Sequence, residues 1–351
     1  RRRLMFEELF CLNLGLTLIR GRRGEQRACP FVRQDLEAFT SRLPFSLTPA
    51  QLRSVKEAAA DLRRAVPMNR LLQGDVGSGK TVGAAACAYF AWQNGCQAAL
   101  MAPTELLAQQ HQRTMETLLA GTGLRVGLLV GSMTAAQKRD CRAALAAGAL
   151  DLIVGTHALL SEGVSFRRLG LVIPDEQHRF GVDQRAALAA KSGEKDRPHV
   201  LVMSATPIPR TLALMIYGDL DLSVIDQLPP GRTPVATYLI REDKRARLYA
   251  FVRKQVAQGR QVYIVCPAVD QEDPEGLKAA EQYGRQLQEE VFPDLRVGIV
   301  HGKQKARDKQ GVMAAFAAGE VDVLVSTTVI EVGVDVPNAS VMVIENAERY
   351  G

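Results

Sequence analysis

Between Arg70 and Ile225 the chain alternates short apolar runs with longer segments of helical periodicity. Arg70–Gln73, Ala98–Met101, Val126–Val130, Leu152–Val154, Leu169–Ile173, Val200–Met203 and Leu222–Ile225 have strand length. Several are apolar at consecutive positions, as a strand buried on both faces requires. The pattern predicts an α/β fold, with parallel sheets covered by helices on both faces and ligands held at the carboxyl ends of the strands. Leu228-Pro229-Pro230-Gly231-Arg232-Thr233-Pro234 interrupts it, and it restarts with Val235–Leu239, Val262–Val265, Val297–Val300, Val321–Val325 and Val341–Ile344. Two similar domains are therefore expected, over 45–227 and 235–351, joined by a Pro/Gly hinge at 228–234 and preceded by a basic helical linker at 1–44. No close sequence repeat relates them. Asp270–Asp294, acidic and helical in pattern, reads as a surface insertion in the second domain.

Charge changes this picture only at the amino end. Residues 1–33 hold eight Arg and three Glu, so they supply most of the net +6. Global basicity does not by itself make the remainder a nucleic-acid binder. The segment could bind phosphates, or be a solvated helix packing through Leu4, Phe6, Leu9, Phe10, Leu12 and Leu16. Thr81 to Thr104 contains no charged residue, but Gln93-Asn94-Gly95 is a turn signal that divides it into a helix and a buried strand, so no membrane span is read there. The six cysteines form no C-x-x-C pair or Cys/His cluster. They read as small buried hydrophobes of a reducing, cytoplasmic compartment. Aromatic content is 5%, with no ladder for base stacking.

The candidate chemistry begins at Gly74-Asp75-Val76-Gly77-Ser78-Gly79-Lys80-Thr81, which fits G-x-x-x-x-G-K-[ST]. Backbone N–H groups of such a loop wrap nucleotide phosphates at a helix amino terminus, where the dipole favours anions. Lys80 would reach the β- and γ-phosphates and the Thr81 hydroxyl would hold Mg²⁺. Downstream, the apolar Leu171-Val172-Ile173 ends in Pro174-Asp175-Glu176-Gln177-His178. Asp175 is placed to hold the metal and Glu176 to polarise the water that attacks the γ-phosphate. The expected substrate is ATP with Mg²⁺.

These motifs, with Ser204-Ala205-Thr206, resemble the superfamily 2 helicases and translocases. Asp175 to Gly181, Ala205 to Thr211, Leu228 to Pro234 and Thr327 to Pro337 resemble, more closely, the RecG family of bacterial branch-migration helicases. The resemblance runs from about Phe45 to Gly351. It implies two RecA-like domains with a nucleotide cleft between them, and ATP-driven remodelling of branched DNA such as stalled replication forks and Holliday junctions. Residue by residue, it makes Gln51 the reader of the adenine edge, although a lone Gln near a helix start is also an ordinary surface residue. Gln177, His178, Ser204 and Thr206 would couple hydrolysis to DNA. Gly333 and Asp335 would face the nucleotide from the second domain. Thr104, Thr156, His157, Lys303, Thr327 and Thr328 would grip the DNA backbone, with His301 beside them; each threonine is equally a plain helix cap. Duplex or branched DNA, single-strand-binding protein and a monomeric acting unit follow from the same resemblance.

Two departures stand out. Pro174 precedes the metal Asp where relatives carry an aliphatic residue. The family also continues past Gly351 into an arginine-finger helix and begins with a wedge domain before Arg1, so the chain reads as a motor core with reduced turnover. Two readings compete: a transcription-repair coupling translocase, and a nucleotide-gated DNA-binding module without turnover.

Overall fold

The computed structural model describes residues 6–7, 10–11, 14–15, 26–175, 196–205, 220–227, 235–267, 281–301, 304–327 and 336–349. The chain divides into two compact units, Arg1–Thr233 and Pro234–Gly351.

In the first unit, α1 (Leu36–Thr40) and α2 (Pro49–Leu62) lead into β1 (Asn69–Gly74), α3 (Lys80–Gln93), β2 (Gln97–Met101), α4 (Glu105–Leu118), β3 (Val126–Leu129), α5 (Ala135–Ala146), β4 (Leu152–Gly155), β5 (Leu169–Pro174), β6 (His199–Ser204) and β7 (Asp221–Ile225). The seven strands form one parallel sheet in the order β3-β4-β2-β5-β6-β1-β7. Every predicted strand of this half is present, to within a residue or so of its expected ends. The uncharged stretch resolves into α3, a turn at Gly95 and β2, and no helix among the described residues is long and apolar enough to cross a membrane.

The helix α3 buries Val82 through Ala91 without interruption. Its alanines let backbones approach closely, which is why it lacks the polar stripe of a surface helix. Phe31 and Phe39, fully buried, carry the stretch after Gln26 into the same core. Arg70 on β1 makes two bonds to Asp61 on α2 (2.7 and 3.0 Å) and one to Ser223 on β7 (2.8 Å). It thereby joins two strands and a helix.

The second unit contains α6 (Arg245–Ala257), β8 (Gln261–Cys266), β9 (Val297–Val300), α7 (Ala306–Ala317), β10 (Val323–Thr327) and β11 (Ala339–Ile344), with a parallel sheet β11-β8-β10-β9. Two expectations change here. Val235–Leu239 is not a strand: it has no ladder partner, and Val235, Tyr238 and Leu239 are exposed. β-Propensity does not make a strand where no sheet edge receives it. The acidic stretch is also more than a surface insertion, because Leu287 and Phe292 are fully buried in the unit's core.

The expectation that no close repeat relates the two halves is corrected here: residues 125–156 and 296–327 share Arg-Val-Gly at their start and Ala-Ala-x-Ala-Ala-Gly at their helix ends, and they share their hydrogen bonds. Arg125 pairs with Asp151 through its backbone N–H, Nε and Nη2, and also donates to the Gly148 carbonyl. Arg296 does the same with Asp322 and Gly319, at the same separations of 26 and 23 residues. Gln97 bonds the carbonyls of Leu145 and Leu150, and Gln261 those of Phe316 and Val321. Arg125-Val126-Gly127 through Thr156 and Arg296-Val297-Gly298 through Thr327 are thus counterparts, one strand–helix–strand clamp used twice.

His199, fully buried on β6, gives the first unit a pH dependence. The Met68 N–H donates to Nδ1 (2.9 Å), so the ring proton sits on Nε2 and donates to the Cys29 carbonyl (2.8 Å). Burial pushes its pKa below the ordinary 6.5. Below that pH the unfolded chain takes up a proton that the folded chain refuses, so this stability is present above pH 6.5 and is lost as pH falls. The melting temperature of the first unit is expected to drop between about pH 7.5 and about pH 5.5. His199→Asn, which keeps an acceptor for Met68, should flatten that slope. Equal slopes in the two proteins would refute the assignment.

Candidate nucleotide and nucleic-acid site

Because all seven strands run the same way, their carboxyl ends share one edge, and the candidate residues fall along it in a definite order. Thr156 and His157 follow β4, Thr104 follows β2, Asp175 follows β5, Ser204 ends β6, and the Gly74–Thr81 loop follows β1. Phosphate-loop and backbone-binding candidates thus occupy opposite parts of the edge, with Asp175 and Ser204 between them. Asp175 is two strands from β1, about 10 Å at ordinary strand spacing.

The loop is shaped by close backbone approaches. Gly77 and Gly79 have φ of 76° and 86°, where a side chain is strained. A Cβ on Gly79 would lie 2.2 Å from Gln51 Nε2, and one on Gly74 would lie 2.4 Å from Ser78 Oγ. Asp75, Val76 and Gly77 form an exposed crest, while Ser78 is buried and its Oγ has no protein partner. Lys80 Nζ donates to the carbonyls of Gly74 (2.7 Å) and Asp75 (3.0 Å), which holds the amine at the loop's mouth. Thr81 stands in the first turn of α3.

Gln51 is buried and serves two ends at once. Its Oε1 accepts from the Thr48 N–H (2.9 Å), completing a capping box on α2, and its Nε2 donates to the Ser78 carbonyl (2.8 Å). The amide therefore braces the phosphate loop directly, with one Nε2 hydrogen left beyond these two bonds.

Asp175 continues β5. Its N–H donates to the Met101 carbonyl (2.8 Å), and it bridges Met203 on the other side. Pro174 explains an irregularity here. The β5–β6 ladder pairs Leu171 with His199 and Val172 with Val200, and resumes only at the Asp175–Met203 bridge. Alternate residues of a strand direct their N–H groups to opposite sides, so the N–H that proline lacks would have faced β6, where the ladder is open. His111 of α4 reaches the carboxylate, with Nε2 2.6 Å from Asp175 Oδ2. Motif reading passes over this residue, although its place on the inward stripe of an amphipathic helix is visible in the sequence.

The DNA-binding candidates differ in accessibility. Thr104 caps α4 through Leu107 N–H (3.3 Å) and is half-buried, and the next residue, Glu105, accepts from Ser132 N–H (3.0 Å). Thr156 caps the short turn His157–Leu160 and is buried, with His157 exposed beside it. Thr327, its counterpart in the second unit, is fully buried and its Oγ1 has no protein partner. At Thr156 the exposed His157 side chain is better placed than the buried hydroxyl to meet phosphate. His301 is buried against Glu281, 2.7 Å away. Glu176, Gln177, His178, Thr206, Lys303, Thr328, Gly333 and Asp335 lie outside the described residues.

Among the described residues, no group of three or more His, Cys, Asp or Glu could hold a metal. A divalent cation at Asp175 would take most of its oxygens from phosphate and water, as Mg²⁺ commonly does. The donor set fits that role.

Comparison with known proteins finds relatives of both units. The DEAD/DEAH box helicase family matches residues 48–215, and the helicase conserved C-terminal domain matches residues 243–349. Over its whole length the chain is 51% identical to the ATP-dependent DNA helicase RecG of Synechocystis sp. and covers 42% of that protein. It is 48% identical to the RecG proteins of Thermotoga maritima and Escherichia coli K12, covering 45% and 51% of them. The chain thus spans about half the length of these curated relatives. A solved structure of RecG bound to a three-way DNA junction superposes with a TM-score of 0.84 at 44% identity, over all of this chain and 46% of that one. The RNA-bound helicase Mss116p, at 17% identity and a TM-score of 0.63 over 88% of this chain and 66% of that one, shares the fold.

The loop geometry yields a paired test. Gly79→Ala meets both a positive φ and the Gln51 amide, and should cost about 1–3 kcal/mol while weakening nucleotide binding. Gly95 has a φ of 68° and nothing within 4 Å of an added Cβ. Gly95→Ala should cost only backbone strain, about 1–2 kcal/mol, and leave nucleotide affinity alone. Chemical denaturation and nucleotide titration of both variants check this; unchanged affinity in Gly79→Ala would count against the loop as a phosphate cradle.

Proposed function

The chain belongs to the RecG helicases of the DEAD/DEAH box class, and on that premise we propose that it is the ATP-driven motor of a helicase that tracks double-stranded DNA and remodels branched DNA such as stalled forks and Holliday junctions. The observation that carries this reading is the order of strand ends in the first unit. A phosphate loop at β1 and backbone-binding candidates at β2 and β4 share one edge, with Asp175 and Ser204 between them. One rigid sheet then links a nucleotide site to a DNA site.

In this reading the loop N–H groups and Lys80 bind the β- and γ-phosphates, and Gln51 braces the loop while presenting its remaining N–H to adenine. Thr81 and Asp175 hold Mg²⁺, which when bound neutralises charge building on the transferred phosphoryl group. Glu176 orients the attacking water and accepts its proton. Ser204 ends β6, and Gln177, His178 and Thr206 come next in the chain after β5 and β6; in this reading they relay a change at the phosphates to the neighbouring DNA contacts. Thr104, Thr156, His157, Lys303, Thr327 and Thr328 meet sugar and phosphate rather than base edges, which suits a motor indifferent to sequence.

Phosphate release with and without duplex DNA tests the reading. Lys80→Ala should weaken nucleotide binding by about 2–3 kcal/mol or abolish it, the scale of a charge-assisted phosphate contact. Glu176→Gln should retain binding and lose more than about tenfold in turnover, ~1.4 kcal/mol of barrier. Turnover and affinity unchanged in Lys80→Ala would remove the nucleotide assignment, and a smaller loss in Glu176→Gln would remove Glu176 from catalysis. DNA affinity should fall steeply with salt and differ little among unrelated duplexes; a marked preference among unbranched duplexes would contradict backbone recognition.

A further inference from the structure

The helix α4 turns one stripe inward, with Leu107, Ala108, Met115 and Leu118 buried. His111 falls on that stripe and is its polar member. Its side chain is 13% exposed and that of Asp175 is 12% exposed, with Nε2 and Oδ2 2.6 Å apart. The strand ladder holds the backbone of Asp175 on both sides through Met101 and Met203. It does not fix how the carboxylate is turned about its own side-chain bonds. The imidazole does, because a carboxylate oxygen held by a ring N–H at hydrogen-bond distance cannot rotate freely.

We propose that His111 is a positioning residue: its Nε2–H holds Asp175 Oδ2 and leaves Oδ1 directed to the divalent cation of the bound nucleotide. The proposal rests on the nucleotide reading of the phosphate loop given above. It has a second part, which comes from the helix. Thr104 caps α4, and His111 sits two turns further along, about 10 Å at 1.5 Å per residue. A helix of that length moves as a unit. A phosphate engaged at the Thr104 end therefore shifts the imidazole, and with it the carboxylate that binds the cation. By linkage, DNA changes cation affinity and the cation changes DNA affinity by the same factor.

A histidine that merely fills the core makes a different forecast, so the test reads cation dependence and not activity alone. Binding of a fluorescent N-methylanthraniloyl-ADP to the full chain is titrated with Mg²⁺, and repeated with the metal chelated. His111→Leu or His111→Met keeps the apolar stripe and removes the donor. His111→Gln keeps an N–H at similar reach. The apolar variants should raise the Mg²⁺ needed for half-maximal binding by about tenfold to hundredfold, as loss of a group supporting a metal ligand typically does. Their metal-free nucleotide affinity should match the wild type, and His111→Gln should recover most of the loss. Duplex DNA should move the Mg²⁺ midpoint in the wild type and His111→Gln, but not in the apolar variants.

An unchanged Mg²⁺ midpoint in both apolar variants would overturn the proposal, as would equal weakening with and without Mg²⁺. A midpoint that DNA leaves unmoved in the wild type would overturn the coupling alone. Nucleotide binding by the wild type that ignores Mg²⁺ would instead defeat the underlying metal-site reading.

Discussion

Parallel strands cannot be joined by tight turns. Each must return through a crossover before the next begins, and that constraint organises the first unit. With all seven strands pointing one way, every loop that leaves a carboxyl end emerges on the same edge, and the helices that follow direct their amino-terminal N–H groups there. The phosphate loop after β1, the Thr104 cap after β2 and the Thr156 cap after β4 are three outcomes of one rule. Asp175 completes the row because β5 lies between β2 and β6. An edge suited to anions is thus already present in the topology, and the proposed function divides it between nucleotide and nucleic acid.

Placing Asp175 there has a local consequence. Pro174 stands inside a buried central strand, a position from which proline is normally barred, and the sheet accommodates it by leaving the β5–β6 ladder open at Ile173 and Pro174. The carboxylate is then supported from two directions: by the Met101 carbonyl through its backbone and by His111 through its side chain. The cost of the missing bond falls on the side toward β6, while on the β2 side, which carries the Thr104 helix, the ladder runs unbroken from Leu171 to Pro174. Support for the Asp175 carboxylate therefore comes chiefly from the half of the sheet that bears the DNA-binding candidates.

Much of this was legible in the sequence for identifiable reasons. Strands buried on both faces announce themselves as apolar runs, so β1 through β7 are found nearly to the residue. The phosphate loop is legible because Gly77 and Gly79 are required by positive φ and by the approach of Gln51, a need that leaves a fixed spacing. What was hidden depended on partners. Val235–Leu239 has strand composition, but a strand exists only where a neighbour pairs with it. Leu287 and Phe292 were obscured by the acidic residues around them, although two apolar anchors suffice to seat a helix. The contact between His111 and Asp175 spans 64 residues, and no local pattern encodes so distant a pairing. The strand–helix–strand repeat is also legible in the sequence, because Arg-Val-Gly opens both segments and Ala-Ala-Leu-Ala-Ala-Gly at 143–148 answers Ala-Ala-Phe-Ala-Ala-Gly at 314–319; the comparison of strand patterns alone passes over it.

Those two clamps bear on how the chain folds. Each joins groups only 26 residues apart, so each closes a small loop at modest entropic cost and needs nothing from the other unit. Each unit also has its own buried core. The two clamp loops close at a lower entropic cost than the pairing of β1 with β6, which joins Asn69 to Val200. The chain should then unfold as two cooperative blocks, and one transition fitted to the whole would return a free energy belonging to neither. Amide hydrogen exchange would reveal two plateaus of protection, with Arg125–Asp151 anchoring one block and Arg296–Asp322 the other.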